Sequence, residues 1–173
     1  MTIGDLGSLG EFVGAIATVA TLIYLAIQIR SNTRAVQSAA AQAVHENYAT
    51  WYQLLASDSE LSQVTVNGLR DYSSLSEAEK AQFVSVFMAF LSYSQNAYIK
   101  WREGALSADL WKGWELLMMN LFGAPGGAEF WKERGYIFGD DFQKYVESKI
   151  MNQPPDPRAK PLGAFPISRD GSA

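Results

Sequence analysis

The chain has no cysteine and a single histidine, His45. Without cysteine there are no disulfides, no thiolate nucleophile and no Cys-ligated metal, and one histidine is too few for most imidazole-based metal centres. The sequence around it, HENYA, begins like the zinc helix motif H-E-x-x-H, but Ala49 stands where the second histidine belongs. Basic residues are also few. Lys and Arg number 14 against 18 Asp and Glu, for a net charge of -4, which leaves no broad basic face for nucleic acid. The glycines at 4, 7, 10 and 14 are followed by no G-K-[ST], and Gly123 to Gly127 reads as a turn rather than a dinucleotide fingerprint. No G-x-S-x-G nucleophile elbow occurs. The carboxylates are scattered: Glu129 and Glu133 read as a solvated helix face, and Asp140-Asp141 as a helix start with Asp140 as its cap. These absences point away from an enzyme and imply no cofactor and no metal.

Two further absences are local. No charge occurs from Phe12 to Ile29, and no Gly or Pro from Ala15 to Asn67. Phe12–Ile29 is FVGAIATVATLIYLAIQI, 18 residues between Glu11 and Arg30. As a helix rising ~1.5 Å per residue it extends ~27 Å, close to the hydrocarbon thickness of a bilayer. The residues before it carry Asp5 and Glu11 and no Lys or Arg, and the apolar run exceeds the ~7–15 residues of a signal-peptide core. An uncleaved transmembrane anchor is therefore expected; a buried helix of a soluble protein is the alternative. Arg30 and Arg34 both follow the span, so the positive-inside rule places the N-terminus outside and the rest in the cytoplasm.

One face of this span is small or polar. Gly10, Gly14, Ala17, Thr21, Tyr24 and Gln28 follow 4-3-4-3-4 spacing, a heptad seam, while Phe12, Ile16, Val19, Ile23 and Ile27 lie opposite and suit lipid. Small residues let membrane helices approach closely, and Tyr or Gln can hydrogen-bond across, so the seam predicts a partner transmembrane helix, from another subunit or a second copy. A chance run of small residues is the competing reading. The same register continues through 31, 35, 38 and 42 to His45, which is otherwise a surface or groove residue.

With no breaker, the helix is expected to run on to about Ala56, roughly 70 Å in all. Val36, Ala40, Val44, Tyr48, Trp51 and Leu55 form a stripe that should pack on a soluble domain. Asp58 reads as the cap of a short helix ending near Gly68 or Arg70. Ser76-Glu77-Ala78-Glu79 is a capping box, opening a helix to about Glu103 whose middle, FVSVFMAFLSY, is apolar all round, as a central bundle helix should be. Ser107 caps a helix with Trp111 and Trp114 on its apolar face. Ala128–Arg134 reads as a short helix closed by Gly135, and a last helix follows Asp140 with Phe142, Tyr145, Val146 and Ile150 inward. Five of the six prolines fall after Asn152, which reads as a disordered tail.

LIYLAIQIRSNTRAV, Leu22 to Val36, resembles the signature of a widespread bacterial family of uncharacterised single-span proteins, which commonly read YLAxQIRQNTRA here. The resemblance extends to YIKWREG at Tyr98–Gly104, LWKGW at Leu110–Trp114 and FWKERGYIFGDDFQKYV at Phe130–Val146. It covers roughly residues 9 to 150 and departs at Ser31, where glutamine is usual. It implies the architecture and a bacterial inner-membrane location, and assigns no catalytic role.

The expected fold is all-α: residues 1–11 outside, a span over 12–29, a cytoplasmic helical bundle over 30–151 and a Pro-rich tail over 152–173. A candidate pocket gathers Tyr98, Trp101 and Arg102 at the end of the central helix with Trp111 and Trp114 beside them and Asn96 near the buried middle, an aromatic-walled site with a few polar groups. A packed aromatic core is the plainer reading of the same residues. Two functions follow: a non-enzymatic interaction or structural protein, as accessory subunit or self-associating anchor of an integral membrane complex, or a membrane-tethered ligand-binding or sensory module.

Overall fold

The structure is a computed structural model describing residues 3–152. Every regular element among them is helical: α1 Ile3–Ser57, α2 Ser59–Arg70, α3 Glu77–Arg102, α4 Ala108–Phe122, α5 Pro125–Arg134 and α6 Asp140–Tyr145. α6 widens into a π-helical stretch at Val146–Met151, and short 3-10 turns lie at Tyr72–Ser74 and Gly135–Ile137. The chain divides after Ala39 into two units, α1 contributing to both. The reading of the proline-rich tail, beyond Asn152, lies outside the described residues.

In the first unit the helix is already formed at Ile3, and every described side chain from Gly10 to Ala39 is exposed. α1 is the one helix among the described residues long and apolar enough to cross a membrane. Val36 is a correction to the sequence reading. It is 51% exposed, and the buried stripe of α1 starts at Ala40 instead.

The second unit is built from locally encoded ends. Asp58 accepts from the backbone N–H groups of Glu60 and Leu61 at 2.9 and 3.0 Å, opening α2. Ser76 and Glu79 form the reciprocal box that opens α3, with the Ser76 N–H donating to Glu79 Oε2 at 2.8 Å. α3 is followed by its cap Glu103 and then Gly104, whose φ of +75° suits a residue without a Cβ. Ser107 then accepts from the Leu110 N–H to start α4.

α3 is the central element. Phe83, Phe87 and Phe90 are fully buried, and Phe83, Phe87 and Phe130 of α5 form a ring cluster with centroids 4.8–6.2 Å apart. The C-terminal turns of α1 dock on α3 through Trp51, whose indole N–H donates to the Val86 carbonyl at 3.2 Å while its ring lies 5.1 Å from Phe90.

Two expectations fail here. Gly126 and Gly127 are not a turn: α5 starts at Pro125, where the fixed φ of proline suits a first helical position. The two glycines permit contact instead. A Cβ on Gly126 would stand 1.7 Å from the Gly68 carbonyl oxygen of α2, and one on Gly127 would stand 2.1 Å from that of Leu121. The cap of α6 is Gly139, one residue before Asp140, and no side chain caps it. The Gly139 N–H donates to Gln95 Oε1 of α3 at 2.7 Å, so the start of α6 is held by a neighbouring helix.

Candidate functional site

On the seam of α1, Gly10, Gly14, Ala17, Thr21, Tyr24 and Gln28 are all exposed. The hydroxyls of Thr18 and Thr21 donate to the carbonyls of Gly14 and Ala17 at 2.9 and 2.8 Å. Gln28 Nε2 donates to the Tyr24 hydroxyl at 3.1 Å. These bonds satisfy the two hydroxyls and one amide hydrogen within the helix itself. A Cβ on Gly10 or Gly14 would meet nothing within 4 Å. The packing of the described residues therefore gives no reason for either glycine.

In the second unit one group of aromatic residues gathers around Tyr98. Tyr98 and Trp101 of α3, Trp111 of α4 and Tyr145 of α6 close on one another, with Trp101 stacked on Trp111 at 5.2 Å and Tyr98 4.9 Å from Tyr145. The Trp111 indole N–H donates to the Tyr145 hydroxyl at 2.9 Å, and that hydroxyl donates to Glu115. Burial, and then the Glu115 carboxylate, push the Tyr145 phenol well above its ordinary value. The rings fill the space between them.

The open space lies on the other side of Tyr98. A cleft of about 550 Å³ has Tyr98, Ile99 and Phe142 in its lining and Arg102, Glu103, Asp140 and Asp141 as its charges. Arg102 pairs with the Asp141 carboxylate, the Tyr98 hydroxyl donates to the Asp141 carbonyl at 3.2 Å, and the Arg102 guanidinium lies 5.7 Å from the Tyr98 ring centroid. The hydrogen bond and charge of Asp141 hold the Arg102 guanidinium above its ordinary pKa. Both partners of the pair face solvent, so it orients the two side chains more than it stabilises the fold.

Of the six residues expected to share a pocket, Tyr98, Trp101, Arg102 and Trp111 do come together. Asn96 does not, since it is exposed rather than near the buried middle of α3. Trp114 belongs elsewhere, with ring centroids 5.4 Å from Tyr48 and 5.7 Å from Phe90. No family model, curated protein or solved structure matches the chain. The site is therefore interpreted from its geometry. Asp141, Tyr145 and Glu115 are the participants that sequence reasoning missed. The i, i+3 spacing of Phe142 and Tyr145 marked Tyr145 as inward-facing, whereas nothing local marked Asp141 as the partner of Arg102. His45 is exposed, and among the described residues no group of three or more His, Asp or Glu gathers to hold a metal.

Proposed function

We propose that the chain is a non-enzymatic interaction protein anchored in a bilayer by α1, and that it is an accessory subunit or self-associating anchor of an integral membrane complex. The carrying observation is the exposure of nine large apolar side chains between Phe12 and Ile29: Phe12, Val13, Ile16, Val19, Leu22, Ile23, Leu25, Ile27 and Ile29. Burying each is worth about 1.5–3 kcal/mol. Leaving all nine in water forgoes on the order of 10–30 kcal/mol, as much as the whole stability of a typical domain. A lipid environment removes that conflict.

Gly10 and Gly14 support docking of a partner helix along the seam, because a glycine inside a helix costs about 1 kcal/mol relative to alanine and none of the described residues packs on either one. The charge bias of Arg30 and Arg34 supports an N-out orientation with residues from 30 onward in the cytoplasm. The resemblance around Leu22–Val36 supports a place in the bacterial single-span family and its inner-membrane location.

The test is extraction of the tagged full-length protein from its native membrane in mild detergent, followed by a native gel. Gly14→Leu and Ala17→Leu should each abolish the assembly while tryptophan fluorescence, which reports only the second unit, stays unchanged. Assembly that survives both substitutions sinks the proposal.

A second reading, a membrane-tethered ligand-binding or sensory module, draws support from the cleft beside Tyr98 and Arg102. It expects ligand-dependent thermal stabilisation of the full chain within a broad metabolite and lipid panel, abolished by Asp141→Ala. A panel without any stabilising compound counts against it.

A further inference from the structure

Arg30 and Arg34 follow directly on the apolar run of α1, about one helical turn apart. Both are exposed, and neither forms an ion pair with a described residue. The sequence has no Asp or Glu between Glu11 and Glu46, so no carboxylate stands within a turn of either arginine. Two like charges at this spacing work against the helix unless an anion lies between them.

Their direction around the helix is as informative as their charge. At 100° per residue they share an arc of about 80° with Ile16, Val19, Ile23 and Ile27, all exposed. The centre of that arc lies about 140° from the centre of the Gly10–Gln28 seam. A helix docked on the seam therefore leaves both arginines on the side that faces lipid. Their depth agrees with this. They stand ~1.5 and ~7.5 Å beyond Ile29 along the axis. The polar layer on each side of a bilayer is ~5–7.5 Å deep. Helical side chains lean toward the N-terminus, here back toward the apolar run, so both guanidiniums come to the level of the phosphates.

We propose that Arg30 and Arg34 hold the phosphodiester of an anionic phospholipid, whose acyl chains lie along Ile23 and Ile27 while the seam stays open to a protein partner. The planar guanidinium donates two parallel hydrogen bonds to phosphate oxygens, and two of them surround one phosphate from the same face. Charge selects the headgroup. A zwitterionic lipid brings its own ammonium, which offsets the phosphate and is repelled by the arginines; an anionic lipid brings none. Free phosphate has no chains to pack on the isoleucines, so the lipid is the better ligand. The proposal rests on the bilayer-anchored reading of α1 and not on a partner helix.

The test titrates full-length protein in detergent micelles with phosphatidylglycerol or phosphatidylcholine of matched chains and reads bound lipid by native mass spectrometry. Each arginine should contribute about fivefold, giving a preference of about 25-fold for phosphatidylglycerol. Arg30→Gln and Arg34→Gln should each lower that preference about fivefold, and the double variant should lose it. Lys149→Gln, an exposed charge of the second unit, should leave it unchanged. No preference in the parent, or the same preference in the double variant, overturns the proposal. Displacement of phosphatidylglycerol by an equal concentration of inorganic phosphate gives the site to a free anion and overturns the lipid assignment. A double variant that also loses its assembly on a native gel gives the arginines to a protein partner and overturns it too. Gly14→Leu should break the assembly and keep the lipid preference, so the two proposals fail separately. A protein that stays soluble without detergent overturns both.

Discussion

Two helical glycines should respond in opposite directions to the same substitution. At Gly126 the added Cβ would sit 1.7 Å from the Gly68 carbonyl oxygen, against a practical minimum of 3.0 Å, so α2 and α5 must separate by at least 3.0 - 1.7 = 1.3 Å. The obstructing atom is backbone, and no rotamer change relieves it. Overpacking of this kind costs about 1–3 kcal/mol, occasionally more. The compensating gain in helix propensity is at most about 1 kcal/mol, and it is smaller in a first turn, where Gly126 lies. Gly126→Ala should therefore destabilise the second unit by about 2 kcal/mol, lowering its Tm by roughly 8 °C for a unit of this size. Gly113→Ala meets open space and should stabilise the same unit by about 0.5–1 kcal/mol, raising Tm by roughly 2–4 °C. The assay is thermal unfolding of the full chain in nanodiscs, read by tryptophan fluorescence. All five tryptophans, at 51, 101, 111, 114 and 131, lie beyond Ala39, so the signal is free of the first unit. A Gly126→Ala protein as stable as the parent would refute the α2–α5 crossing geometry, and a Gly113→Ala protein less stable would refute the open space at Gly113.

Trp51→Phe removes the N–H bonded to the Val86 carbonyl, which keeps its bond within α3, and leaves a small void at a fully buried position, so a loss of about 1–2 kcal/mol is expected in denaturant titration. A change below about 0.5 kcal/mol would place Trp51 outside the α1–α3 contact. The Tyr145 phenol is held above its unfolded value near 10. Its protonated form thus contributes stability that is complete below about pH 10 and is lost as pH rises beyond it. Tyr145→Phe should flatten the alkaline limb of a Tm–pH curve, and an unchanged limb would show that another group controls it.

The features recognisable from the sequence are those whose physics is local. A cap needs only a side chain and the next turn of backbone, and Asp58, Ser76 with Glu79, and Ser107 open their helices where the residue types indicate. An uncharged, breaker-free run needs no partner to become a long apolar helix, and the periodicity of Val44, Trp51, Phe142 and Val146 already marks inward faces.

Tertiary structure decided everything that depends on which helix lies opposite. A glycine serves a turn and a close helix crossing for the same reason, the missing Cβ, so Gly126 and Gly127 cannot be told apart from turn residues until α2 and Leu121 are seen against them. Asp141 resembles a capping residue until α6 is set beside Arg102. Trp111 and Trp114 are three positions apart on one apolar face, yet one stacks on Trp101 while the other meets Tyr48 and Phe90. Helix spacing fixes their direction, and only the arrangement of neighbouring helices sets their partners. That division separates the aromatic cluster around Tyr98, the Arg102 cleft and the contact of Trp114 with Tyr48 and Phe90, three places that sequence spacing alone merged into one pocket.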